Sequence, residues 1–225
     1  MKNHIVIFDL DGTLIDSAPD ICGALNRTLT KIGRRPHNIA ETKSYLGHGA
    51  HILMGMALEA TGPIADEDTI TDLTKQFLED YAKYPVIDTV VYPGVFAALD
   101  DLKAQGATLA LCTNKPNLTA SVVLEILKLD AYFPTRVCGD QASTKKPHGD
   151  HIRDTLSRAG GDASSTAIMI GDSENDIYAA IDAGVPSIAV TFGYAHGTPD
   201  SLGADALIDH FDELIPTIET VLLKR

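Results

Sequence analysis

The chain has 225 residues, 44% of them hydrophobic and 22% charged, enough length and apolar content for a sizeable packed core and too much to be wholesale disorder. Its 31 acidic residues against 18 Lys and Arg give a formal charge of -13, which repels nucleic acid and anionic membrane surfaces, and the basic residues are too scattered to form a local patch. The three cysteines, Cys22, Cys112 and Cys138, lack metal-ligand spacing, and no run reaches the length of a membrane span or a secretory leader, so a cytoplasmic location is expected.

In chain order, the first element lies in "HIVIFDLDGTLIDS", His4 to Ser17. Ile5 to Phe8 has the apolar character of a buried strand, and it runs directly into Asp9 and Asp11. Buried carboxylates are costly unless their charge is offset, so this junction implies either a surface position or a cation. Residues 17 to 84 then show helical periodicity with no strand between. Ser17 followed by Asp20 suggests a capping box, and Ile21, Leu25, Thr28, Leu29 and Ile32 share one face up to Gly33. "HILMGMALEATG" reads as a second helix, and Ile70, Leu73, Phe77 and Tyr81 form the stripe of a third. "YPVIDTVVYPG" is turn-rich and returns the chain to the core.

From residue 94 helices and strands alternate. "GVFAALDDLKAQG" is helical, and "TLALCTN", "RVCGD", "TAIMIGD", "SIAVTFG" and "ADALID" are short strands separated by the helices "SVVLEILKL", "HIRDTLSRAG" and "IYAAIDAG" before a final helix in "ELIPTIETVLL". Several of these strands are apolar throughout, as strands covered on both faces are. The fold class is therefore α/β, a parallel sheet with helices on both faces. The helical stretch interrupts it after the first strand, giving core segments 1–16 and 85–225 and an inserted helical segment 17–84.

Ligands of such sheets bind beyond the carboxyl ends of the strands. Those ends carry Asp9 and Asp11, then Thr113, Asn114 and Lys115, then Lys145 and Lys146, then Asp172 and Ser173. Three carboxylates suit a hard divalent cation such as Mg²⁺. A carboxylate about 4 Å from a phosphate charge is repelled by roughly 4 kcal/mol at an effective dielectric near 20. A divalent cation together with a lysine reverses that field, and an aspartate can then act as a nucleophile toward phosphorus. Lys115 is expected to face solvent, and Cys112 and Cys138 to pack in their strands.

"DLDGTLIDS", "CTNKP", "KKP" and "GDSENDI" resemble, in order and spacing, the four motifs of the haloacid dehalogenase-like superfamily. "YLGHGAHILM" and "AGVPSIAVTFGYAHG" further resemble its phosphoglycolate phosphatase branch. The resemblance implies a Rossmann-like core with a helical cap inserted after the first strand. It makes Asp9 the nucleophile and Asp11 the general acid and base. Thr113 and Lys146, with Asn114 beside them, would hold the phosphoryl group, Lys146 being preferred over Lys145 because it precedes Pro147. Mg²⁺ would be bound by the Asp9 carboxylate, the Asp11 main-chain carbonyl and Asp172. Asp176 fits either a helix cap with Ser173 or support of the metal. In the loop "GHGA", His48 and Gly49 stand where substrate selection is expected, and His48 either binds the carboxylate of a small acid or is an exposed loop histidine. Tyr194 and His196 are expected to be structural.

The implied activity is Mg²⁺-dependent hydrolysis of a small phosphorylated metabolite through an aspartyl-phosphate, with 2-phosphoglycolate the leading substrate. The alternatives are a sugar phosphomutase of the same superfamily and a phosphatase of another small ester or of pyrophosphate. A non-hydrolytic receiver module carries a similar set of residues in a different motif order and at about half the length. Whether the chain is a monomer or a homodimer is not encoded in these motifs.

Overall fold

The computed structural model describes residues 4–161 and 165–224, so the outermost bounds of the expected segments lie outside the described residues. The strands in chain order are His4–Phe8 (β1), Ile15–Asp16 (β2), Val90–Val91 (β3), Thr108–Thr113 (β4), Thr135–Cys138 (β5), Thr166–Gly171 (β6), Ser187–Val190 (β7) and Ala206–Ile208 (β8). Six of them form one sheet in the order β5-β4-β1-β6-β7-β8, with every pairing parallel. β1 therefore lies inside the sheet, between β4 and β6, as its unbroken apolar run required. β2 and β3 form a separate two-stranded antiparallel pair.

The helices are Ala18–Lys31 (α1), Ile39–Lys43 (α2), Ala50–Glu59 (α3), Glu67–Lys83 (α4), Val95–Ala104 (α5), Asn117–Ile126 (α6), Asp150–Arg158 (α7), Glu174–Ala183 (α8) and Leu214–Leu222 (α9). Alternation along β1 sends its side chains to opposite faces. Val6 and Phe8 join Leu109, Leu111, Ile168 and Ile170 in the layer under α5, α6 and α9. Ile5 and Ile7 join Ala110, Cys112 and Met169 in the layer under α7 and α8. Both faces are covered, which is why the strands read as continuous hydrophobic runs. Cys112 and Cys138 are buried free thiols in these layers, and Cys22 is buried on α1.

Helices α1 to α4 follow β2 and precede β3, and they pack on one another around a cluster of their own, including Leu25, Leu29, Leu53, Met54, Phe77 and Tyr81. The expected helical stripes supply this cluster, except that α1 stops at Lys31 and leaves Ile32 exposed. α2 and the β2-β3 pair were not legible, being too short to show a period.

The expected capping box at Ser17 is not formed. Ser17 makes no side-chain cap; its Oγ donates instead to Asp11. The buried N–H groups at the start of α1 are taken by Tyr194, whose hydroxyl accepts from Ser17 N at 2.9 Å and Ala18 N at 3.1 Å while donating to Asp16 Oδ1 at 2.6 Å. Local spacing favoured a cap three residues away, but a buried phenol 177 residues downstream reaches the same groups.

Asp20, freed from capping, ties α1 to the chain that returns toward β3. Its carboxylate accepts from the N–H groups of Ile87 (2.8 Å), Asp88 (3.0 Å) and Thr89 (2.8 Å) and from Thr89 Oγ1 (2.6 Å). Burial works against the charge, but these donors outweigh it and hold the Asp20 carboxyl below its ordinary pKa. A depressed folded pKa contributes stability that is fully present above the ordinary carboxyl value and is lost as pH falls through the lowered one. Asp20→Ala is therefore expected to cost about 2 kcal/mol of unfolding free energy at neutral pH, the scale of hydrogen bonds to a charged group. In urea titrations at a series of pH values, the gap between the two proteins should hold above about pH 4 and narrow below it; a gap independent of pH would assign the loss to packing.

Candidate active site

The ladder of β1 runs one residue past Phe8, since Asp9 N–H donates to Ile170 C=O at 3.0 Å. Asp9 is thereby fixed at the strand end. The chain then turns sharply at Gly12, where φ is +91° and an added Cβ would lie 2.4 Å from Asp172 Oδ2. Only glycine meets both the backbone sign and the close approach. Asp172, just after β6, is gripped from two sides: Thr13 Oγ1 donates to Oδ1 at 3.0 Å, and Tyr194 N–H donates to Oδ2 at 2.6 Å.

Asp176 sits in the first turn of α8 and divides its two oxygens. Oδ2 accepts from Ser173 N–H at 3.0 Å and Ser173 Oγ at 2.8 Å, which anchors the helix start. Oδ1 accepts from Lys146 Nζ at 2.5 Å. The capping and site-facing roles are thus both filled by one carboxylate. Lys146 is buried and spends its three donors on Asp176, on Asp9 Oδ1 at 2.8 Å and on the Cys112 carbonyl at 2.6 Å.

Oxygens of Asp9, Asp172 and Asp176 lie within 4.8 Å of one another. Three carboxylates facing one ammonium leave two negative charges uncompensated in a buried space. Burial, only partly offset by Lys146, pushes the Asp9 carboxyl up to about 6. The Asp172 carboxyl is also pushed well above its ordinary value, by burial first and then by the charges of Asp176 and Asp9. Lys146 moves the other way to burial, held protonated by Asp176 and Asp9. A divalent cation among these oxygens matches the missing charge and the hard donor set.

The other sequence-derived residues are only partly brought together. Thr113 is buried at the end of β4 and lines the cleft with Asp9, Asp11 and Lys146. The amide of Asn114 is fully engaged as a bracket: Oδ1 accepts from Lys146 N–H at 3.1 Å, and Nδ2 donates to Lys146 C=O at 2.9 Å and Gly47 C=O at 2.8 Å. Gly49 lines the cleft, but His48 is turned onto His196, the two rings stacked at 5.5 Å, with its Nδ1 3.2 Å from Asn175 Nδ2. Lys145 is exposed.

Lys115 overturns its expectation. Its side chain is only 4% exposed, and Nζ contacts Asp11 Oδ1 at 2.9 Å and Oδ2 at 3.1 Å, and the Tyr81 hydroxyl at 3.1 Å. The same ammonium lies 4.7 Å from the Tyr81 ring centroid. A lysine in a loop normally snorkels to water, but here Asp11, burial and an aromatic face hold it down. Tyr81 was also missed: on α4 it belongs to an apolar stripe, and nothing in that stripe marks its hydroxyl as site-facing. Asp9, Asp11, Tyr81, Thr113, Lys115 and Lys146 border a cleft that opens between the strand ends and α1, α3 and α4.

Residues 6–190 match the model of haloacid dehalogenase-like hydrolases. The chain belongs to that family. A phosphoglycolate phosphatase of Agrobacterium fabrum (strain C58) is 39% identical over 98% of this hydrolase and 94% of its own length. One of Caulobacter vibrioides is 36% identical over 99% of this chain and 93% of its own. Among solved structures, a predicted phosphoglycolate phosphatase from Haemophilus somnus 129Pt superimposes with a TM-score of 0.90 at 28% identity, over 97% of this chain and 99% of the other. These relatives identify the hydrolase as a phosphoric monoester hydrolase. No helix among the described residues is long and apolar enough to cross a membrane.

The charge surplus predicts a cation effect separable from activity. Mg²⁺ at about one hundred times its dissociation constant is expected to add about 2.7 kcal/mol to the unfolding free energy. Asp172→Ala should abolish most of that gain in thermal unfolding monitored with and without Mg²⁺; a full shift in the variant would place the cation elsewhere.

Proposed function

We propose that this hydrolase is a Mg²⁺-dependent phosphatase that cleaves 2-phosphoglycolate through an aspartyl-phosphate on Asp9. The observation that carries the reading is the pairing of two carboxylates with separate lysines at the end of one strand, Asp9 with Lys146 at 2.8 Å and Asp11 with Lys115 at 2.9 Å. Two carboxylates two residues apart thereby have different surroundings, which is what distinct nucleophilic and proton-transfer roles require.

In the first step an Asp9 oxygen forms a bond to phosphorus as the bond to the leaving oxygen breaks. Lys146 holds Asp9 Oδ1, which leaves Oδ2 as the attacking oxygen and orients it. Asp11 gives a proton to the departing alkoxide. In the second step Asp11 takes a proton from water, whose oxygen attacks phosphorus and releases phosphate and Asp9. The Thr113 hydroxyl would donate to the phosphoryl oxygens, and Lys146, its three donors engaged by Asp9, Asp176 and the Cys112 carbonyl, would hold the phosphoryl group through its positive charge. Mg²⁺, held by the Asp9 carboxylate, the Asp11 main-chain carbonyl and Asp172, would supply positive charge between nucleophile and phosphate. Asp176 would position Lys146 and complete the acidic cluster. Residues 17–84 would act as a cap over a core of residues 1–16 and 85–225.

The substrate assignment is supported by the names of the full-length relatives, which are phosphoglycolate phosphatases at 35–39% identity. Asp9→Asn is expected to lower phosphate release at least about 10³-fold, the scale for loss of a covalent nucleophile, while a cooperative thermal transition is retained. Phosphate release from 2-phosphoglycolate, glucose phosphates, nucleotides and pyrophosphate should be measured with Mg²⁺ and with chelator. Preference for 2-phosphoglycolate that disappears on chelation is the expected result; an equal response across the panel would reject the substrate assignment.

A further inference from the structure

Hydrolysis at phosphorus accounts for Lys115 only through its pairing with Asp11, which leaves its remaining contact on a neutral hydroxyl. Lys115 and Lys146 are the two lysines among the residues bordering the cleft, and no arginine borders it. Lys146 has its three donors committed to Asp9, Asp176 and a main-chain carbonyl. Lys115 stands on the other side of the reaction, against Asp11, the group set to hand a proton to the leaving oxygen. Whatever the leaving alcohol carries must therefore settle near Lys115 and not near Lys146.

The partners of Lys115 are unequal. Asp11 receives two contacts, at 2.9 and 3.1 Å, and the third is a neutral hydroxyl, Tyr81 Oη at 3.1 Å. Exchanging a neutral partner for a carboxylate gives a charge-assisted hydrogen bond, roughly twice as strong as a neutral one. Tyr81 Oη only accepts from Lys115 and keeps its own hydrogen to donate to that carboxylate. Tyr81 is 2% exposed and the Lys115 side chain 4%, so such a contact would be poorly screened by water. The side chains of Ile21, Leu53, Phe77 and Leu78, which line the same cleft, are apolar and offer an anion no donor. His48, the residue whose loop position suggested carboxylate binding, is stacked on His196 instead.

We propose that Lys115 Nζ and Tyr81 Oη recognise a carboxylate on the leaving alcohol and so set the specificity of the enzyme for acidic phosphomonoesters. The proposal rests on the phosphatase reading of the same cleft. Residue 115 reaches the site from the loop after β4, whereas Tyr81 comes from α4, so a bound carboxylate would also pin the inserted helices to the sheet edge.

The test compares 2-phosphoglycolate with 2-hydroxyethyl phosphate, which has the same chain length and an uncharged end. In the native enzyme the ratio of kcat/KM should favour the carboxylate ester by at least roughly 10-fold. Lys115→Met should lower kcat on both esters, because Asp11 loses its lysine, and should in addition raise KM for 2-phosphoglycolate, collapsing the ratio toward unity. Tyr81→Phe keeps the Lys115-Asp11 pair and should lower the ratio in the same sense by a smaller factor, so the question survives if Lys115→Met does not fold. Lys115→Arg should restore part of the ratio. Parallel losses on both esters with the ratio intact would overturn the proposal and leave Lys115 as a holder of Asp11 alone. Collapse of the ratio in Lys145→Met, with Lys115→Met retaining it, would overturn it in favour of the exposed lysine. If the native enzyme releases phosphate from neither ester, it is the phosphatase reading itself that fails, and this is seen before any variant is made.

Discussion

Everything at the edge of this sheet is organised around an imbalance of buried charge. Asp9, Asp172 and Asp176 converge within 4.8 Å, and one ammonium, Lys146, stands among them. Carboxylates brought this close out of water repel one another strongly, and they persist there because each is held by donors that the fold supplies. Thr13 and Tyr194 hold Asp172, Ser173 holds Asp176, and Lys146 holds Asp9. The same imbalance makes the site attractive to a divalent cation and, with the cation, to a phosphate. Function and frustration here have one source.

That constraint reaches into the backbone. Gly12, Gly171 and Gly193 all lie against the acidic side chains, where an added Cβ would come within 2.4 Å of Asp172 or Asp176. Strand ends packed this closely admit no side chain at those positions. Asn114 then locks the Lys146 loop by accepting from its N–H and donating to its carbonyl, and the same amide reaches Gly47. One side chain thus sets the height of the lysine and touches the loop that leads into α3.

Helices α1 to α4 are tied to the rest of the chain by polar contacts as well as by packing. Tyr194 connects them at one corner, its N–H on Asp172 and its hydroxyl on the start of α1. Asp20 connects the other corner through three main-chain N–H groups. Lys115 and Tyr81 meet between these two ties, over the cleft. Directional bonds of this kind fix where the helices begin and return, and they leave the cleft bordered by acids and lysines on the sheet side and by apolar residues of α1, α3 and α4 on the other.

The strands, their parallel arrangement and most helices were legible in the residues themselves, because burial on two faces forces unbroken apolar runs and helix packing forces a 3.6-residue stripe. That Asp9, Asp11, Thr113, Lys146 and Asp172 meet at one edge was legible for a related reason: parallel strands bring the residues at and beyond their carboxyl ends together. Three features belonged to tertiary structure alone. Ser17 lost the capping role to Tyr194, Lys115 was drawn in from solvent by Asp11 and Tyr81, and His48 turned to His196. Local spacing encodes which bonds are available to a side chain, but the partners here lie 34 to 177 residues apart along the chain. Only the folded arrangement decides which of them is near enough, and buried enough, to win.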